Sequence, residues 1–235
     1  MNPTLMFAFW RQRLASPVRV VILAALVFVP LLLVVFVRGI GFRALGDAFA
    51  LAMVFAVGMI GHDVSTGVLQ LLFARPVRRW EYVTSRWLAV AAGAGAVSLS
   101  QVLLAWMLMS LRGADPGLEA VADFAVGRLF EVFGVAAVMT LLSSLVGGYG
   151  DLALYAMLSI GSGIAIMVGQ ATGSDVTLWI AGQVSAFLTP RVEPAHLAGA
   201  AFSGHAVVSY LSTVSICLLL AVASVNRKEL SYASA

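Results

Sequence analysis

The side chains that most often carry chemistry are thinly spread in this sequence. Its three histidines, His62, His196 and His205, are scattered, and its one cysteine, Cys217, lies inside an apolar run. No H-E-x-x-H, C-x-x-C, G-x-S-x-G or phosphate-cradling G-x-x-x-x-G-K-S/T pattern occurs. A metal ion or a nucleophile needs its partners gathered by such spacings, so neither a metal set nor a catalytic set is expected. The nine methionines fit the ordinary role of gap-fillers in apolar cores. Arg128 and Glu131 are three apart and share a helix face, so a structural ion pair near an interface is expected there. Buried acids, the usual relay of a proton-coupled carrier, are nearly missing from the apolar runs. The chain therefore reads as a non-enzyme that binds no cofactor, and any energy it uses must come from a partner.

The elements that hold these residues follow from composition. Of 235 residues, 61% are hydrophobic and 11% charged, with a net charge of +3. Soluble domains are about 25% charged, so this chain cannot cover itself with a polar skin, and lipid must replace it. A crossing needs about 20 mostly apolar residues. Five runs qualify: 20–37, 87–111, 132–150, 152–170 and 206–225. The first exceeds a signal-peptide core and has no small-x-small cleavage site, so it reads as a retained span. A sixth run, 48–61, is short, and lengthens through Leu45 if Arg43 and Asp47 pair at the headgroups.

Arginine placement supports that sixth span. Basic residues gather on the cytoplasmic side of membrane proteins. Here they cluster in the N-terminal flank (Arg11, Arg13, Arg19), after Gly61 (Arg75, Arg78, Arg79, Arg86) and in the C-terminal flank (Arg227, Lys228). All three lie inside only if 48–61 crosses. The expectation is an all-α, polytopic membrane protein of six transmembrane helices with both termini cytoplasmic. It forms one domain over 1–235, with an amphipathic N-terminal helix within 1–17. Within the segment 176–196, residues 176–189 are apolar but too short to span. They read as an outer interfacial helix with Trp179 in the aromatic belt, in preference to a re-entrant segment. Small-residue stretches, 89–98 and 159–163, suit close helix crossings, and Gly161, Ser162 and Gly163 are expected to line one within the chain.

Residues 61–87, GHDVSTGVLQLLFARPVRRWEYVTSRW, hold the densest charge between spans. Asp63 suits a helix cap. Val68, Leu69, Leu71, Leu72 and Phe73 supply an apolar surface, and Pro76 stops the helix. Arg78, Arg79, Glu81 and Arg86 then open the next helix. Such a short helix, tied at both ends to spans, suits transmission of a push from a soluble partner.

This segment resembles the loop between spans two and three of type-2 ABC exporter permeases: an acid (Asp63), a G-T-L-like triplet (Gly67-Val68-Leu69), a leucine pair (Leu71-Leu72), an R-P-x-x-R run (Arg75-Pro76-Val77-Arg78-Arg79) and a downstream base (Arg86). The flanks RQRLASP and NRKELSYAS are also similar to that family's. Asp63, Val68 and Arg86 stand where glutamate, threonine and lysine are common. The resemblance implies a permease subunit that exports a substrate from the cytoplasm across a bacterial or archaeal cytoplasmic membrane. Residues Ser65 to Phe73 would form the coupling helix docked on a cytoplasmic ABC ATPase, with Arg75, Arg78 and Arg79 touching it or anionic lipid. ATP and Mg²⁺ would sit on that partner, a second permease copy (identical or related) would complete the path, and no nucleic acid is implied. The sparsely polar spans suit a hydrophobic or amphipathic cargo, whose identity the sequence leaves open. Two alternatives stay open: a membrane recruiter or sensor binding a soluble partner through 61–87, and a membrane-embedded lipid-modifying enzyme.

Overall fold

Lipid offers the backbone no hydrogen bonds, so apolar runs must satisfy themselves as helices or borrow partners from their neighbours. Both solutions occur here. The protein is described as a computed structural model over residues 3–37, 39–68, 78–114, 116–194, 197 and 203–232. In chain order the elements are α1 (Pro3–Leu14), α2 (Pro17–Phe36), a 3₁₀ turn (Gly41–Leu45), α3 (Phe49–Ala56), α4 (Gly61–Ser65), α5 (Arg79–Leu111), α6 (Leu118–Leu145), α7 (Gly150–Thr172), α8 (Asp175–Leu188) and α9 (Gly204–Tyr232). Six stretches are long and apolar enough to cross a membrane: Pro17–Phe36, Gly41–Ser65, Arg79–Leu111, Leu118–Leu145, Gly150–Thr172 and Gly204–Arg227. The chain is an all-α, multi-pass membrane protein.

The core is the α5–α6 pair. Ala89, Ala91 and Ala94 of α5 are fully buried, and a Cβ on Gly95 would stand 3.2 Å from Leu129, so small residues let the two helices approach. Helix α3 packs against both, and α9 lies along α6 through Cys217, Ala221 and Val225, all fully buried. Helix α2 leans on α5 and buries only Leu31 and Val34.

The second span is not one helix. It breaks at Gly46 (φ +57°) and again at Gly58 (φ +70°), conformations that cost glycine little. Each break frees backbone groups, and polar side chains of neighbouring helices meet several of them. At the first, Glu131 accepts from the N–H of Ala48 (3.0 Å) and of Phe49 (3.2 Å), while Arg128 donates to the carbonyls of Leu45 (3.2 Å) and Gly46 (2.9 Å). Arg128 also reaches Ser98 Oγ (2.8 Å) and Gln101 Oε1 (3.0 Å). At the second, Asp151 accepts from Gly58 N–H (2.7 Å), and Ser143 Oγ accepts from Ile60 and Gly61 N–H (3.0 Å each). Arg128 and Glu131 thus form no ion pair with each other. They grip the same connection from opposite electrostatic ends, because its exposed carbonyls and N–H groups need one charge of each sign. Arg43 and Asp47 do not pair either, and both side chains are exposed.

Helix α8 packs back on the bundle. Leu178 packs on Gly169, and Tyr155 Oη donates to the Leu188 carbonyl (3.5 Å), so α8 runs antiparallel along α7. At its exit a Cβ on Gly134 of α6 would come within 2.5 Å of the Pro190 carbonyl oxygen, so two glycines leave room for the segment. The α7 glycines correct another expectation. Ser162 is buried, but a Cβ on Gly161 or Gly163 would meet nothing within 4 Å, so among the described residues these two line no crossing.

Candidate functional site

One end of the bundle gathers α1, α4, the start of α5, the α6–α7 turn and the end of α9, and the arginines gather with them. Asp63 is the centre. Its carboxylate is buried and accepts from Tyr82 Oη (2.6 Å) and from the Arg86 guanidinium, its ion-pair partner. Arg86 lies over the Phe9 ring (4.9 Å from guanidinium carbon to centroid), and Arg13 lies over the same ring at 4.8 Å. Phe9 is thus held between two guanidiniums, each such contact contributing about 0.5–2 kcal/mol. Arg13 Nη1 donates to the Val57 carbonyl (2.6 Å), where the second span breaks, and Arg19 reaches the same oxygen at 3.5 Å. Trp10 Nε1 donates to the Ala89 carbonyl (2.6 Å). These links together bind α1, the end of span two and the start of α5 into one unit.

The electrostatics are weighted toward positive charge. Burial, helped by the like charges of Arg19 and Arg86, lowers the Arg13 guanidinium to about 9, and its Nε has no hydrogen-bond partner. Arg13 remains charged at neutral pH, and Asp63 is the nearby acid that offsets it. The α6–α7 turn closes the unit from the other side. Gly148 N–H donates to the Gly61 carbonyl (2.7 Å), and the Tyr149 ring stacks on His62 at 5.6 Å. Gly61 must be glycine here, since a Cβ would lie 2.6 Å from the Gly148 carbonyl oxygen and 2.7 Å from that of Val146.

The residues read as a coupling set fall into three groups. Asp63 lies at the heart of the unit, but as an acceptor for Tyr82 and Arg86. It does not cap a helix: it is inside α4, whose N-cap position is Ile60. Ser65, Gly67, Val68, Arg78 and Arg79 lie at its rim. Ser65 Oγ donates to the His62 carbonyl (3.0 Å), Gly67 has φ +71° in open space, and Val68 and Arg78 are exposed. Arg79 Nη1 reaches Asn226 Oδ1 of α9 at 3.4 Å. Helix α4 ends at Ser65 and the chain turns through Thr66 and Gly67, so no continuous helix runs on from Ser65. Leu69, Leu71, Leu72, Phe73, Arg75 and Pro76 lie outside the described residues. Among the described residues no three His, Cys, Asp or Glu side chains gather as a metal set.

No protein-family model, curated protein or solved structure matches this chain. Its function must be argued from its own residues.

Sequence reasoning missed Phe9, Arg13, Tyr82, Ser143 and Asp151. Three of these carried a signal. An aromatic and an arginine four apart at 9 and 13 mark one helical face, and Asp151 just after GGYG is an acid with no nearby base in sequence. Ser143, in an apolar helix, and Tyr82, among charged neighbours, carried none.

Proposed function

We propose that this chain is the membrane-spanning permease subunit of an ATP-driven exporter, paired with a second permease copy and driven by a separate cytoplasmic ATPase. The basic end is then the cytoplasmic face, by the usual distribution of arginine. The observation that carries this reading is the Asp63–Arg86–Phe9–Arg13 unit. It makes the segment that leaves span two and the helix that opens span three move together, with α1 clamped on top. A soluble partner pressing on residues 65–68 and 78–79 would push on a firmly held root, because Asp63 and Val57 tie it to α5 and α1. The root leads into α3, a short helix whose two ends are glycine breaks held by side chains of α6 and α7. Such a segment can shift as a body between its two grips without unwinding in lipid. ATP and Mg²⁺ belong to the partner, and the chain's own task is vectorial movement.

The test is co-purification from the native membrane in mild detergent, repeated with Leu71 and Leu72 changed to aspartate. A stoichiometric P-loop ATPase that the double variant loses is the expected result. A partner without ATPase activity would favour a recruiter or sensor, and no partner at all would sink both readings.

A further inference from the structure

Arg191 follows Pro190, whose carbonyl packs on Gly134 of α6 at the end of α8. Two other arginines are committed: Arg128 to Leu45, Gly46, Ser98 and Gln101, and Arg112 to the Val34 carbonyl. Arg191 has no hydrogen-bond or ion-pair partner among the described residues, and its side chain is exposed.

It is exposed to cavities of differing character. One, of about 460 Å³ between α7, α8 and α9, is lined by Arg191, His205, Ser185 and Ser209 with no carboxylate. A second, of about 570 Å³ between α3 and α7, shares Ser185, Thr189 and Arg191 with the first and continues along Phe49, Met53, Leu152 and Ile160. Both fall in the size range of ligand sites. Arg191 also borders acids: Asp47 lines the second cavity, and Arg191 lines a third, of about 240 Å³, with Asp47, Asp123, Glu131 and Glu193, where Glu131 is already taken by Ala48 and Phe49. The first cavity is the one of the three whose own lining offers an anion a guanidinium, an imidazole and hydroxyls and no carboxylate.

We propose that Arg191, with His205, Ser185 and Ser209, binds the anionic head of an amphiphile, a phosphate or carboxylate, whose tail lies along Phe49, Met53, Leu152 and Ile160. A guanidinium pairs such oxygens two at a time, and the apolar wall supplies a berth that a free anion would leave empty. The site stands apart from the exporter reading, since binding needs no ATPase.

The experiment uses the purified full chain in a neutral maltoside detergent, with binding followed by native mass spectrometry and by titration. The ligands are dioctanoyl phosphatidic acid, dioctanoylglycerol and inorganic phosphate. Phosphatidic acid is expected to bind about tenfold or more tighter than either of the others. Arg191→Gln should abolish that advantage and Arg191→Lys should keep part of it. Gly182→Leu fills the first cavity from a position where an added Cβ meets nothing within 4 Å, and should give the same loss with the charge in place. Unchanged thermal unfolding in both variants shows that the fold is intact. Equal binding of dioctanoylglycerol, or binding unaffected by Arg191→Gln, overturns the site. Equal binding of inorganic phosphate overturns the amphiphile. None of these results touches the ATPase co-purification.

Discussion

Removing the Asp63 carboxylate would leave the Arg86 guanidinium, 12% exposed, without its counter-charge and close to two other arginines. Breaking one side of a buried ion pair costs about 3–5 kcal/mol, whereas replacing both sides by apolar groups is often nearly neutral. Asp63→Ala is therefore expected to lower the unfolding midpoint in detergent sharply. Adding Arg86→Met should restore part of it, since methionine keeps the apolar stem that packs on Phe9. If the double variant is as unstable as the sum of the two single changes, the pair does not act as a unit. A fully stable but transport-dead double variant would tie the pair to motion and not to folding.

The elements divide by how their causes are distributed along the chain. Runs such as 87–111 and 206–225 were legible because their signal, twenty apolar residues without charge, is local. The second span was legible as a crossing but not as a broken helix. Its breaks depend on Glu131, Arg128, Asp151 and Ser143, whose partners lie more than 80 residues away in sequence. The path of α8 was hidden too, because residues 175–188 have the length of either an interfacial or a re-entrant helix and their packing depends on Gly134 and Gly169, on other helices. In the candidate site, Asp63 and the arginine run were visible, but Asp63 looked like a cap because its true partners, Tyr82 and Arg86, follow a loop. These element contacts give a direct expectation. Gly61→Ala and Gly134→Val each drive a side chain into a backbone carbonyl, at 2.6 Å and 2.5 Å for the Cβ alone. Overpacking of this kind costs about 1–3 kcal/mol, so both should unfold at lower temperature, while Gly182→Ala should not. Faster hydrogen exchange is expected around 58–64 in the first variant and around 185–192 in the second. Exchange that speeds up evenly over the whole chain would count against these local contacts.

At the scale of the whole molecule, the faces are unequal. Helices α2 and α7 keep most of their side chains outside the core, and α7 turns outward both Met157 and Met167, with Gly161 and Gly163 between them. Lipid alone gains nothing from glycine on a helix face, whereas a second helix gains close backbone approach, the main attraction available between helices in a bilayer. If the chain works as one of a permease pair, the open side of α7 at one or other of these glycines is the part that a second copy would touch. The single native cysteine, Cys217, is fully buried against α6, so introduced thiols can be followed without a competing signal. Gly161→Cys or Gly163→Cys, oxidised in native membranes, is expected to give a disulfide-linked dimer, and Met107→Cys on the exposed face of α5 is expected not to. Leucine at both glycines should leave the unfolding midpoint of the isolated chain unchanged, because no side chain within the chain is near them, yet abolish the cross-link at a neighbouring thiol such as Ala153→Cys. Cross-links equally strong at all positions would mean random collision. Their absence at α7 with a strong signal on α5 would move the contact between copies to the other side of the bundle.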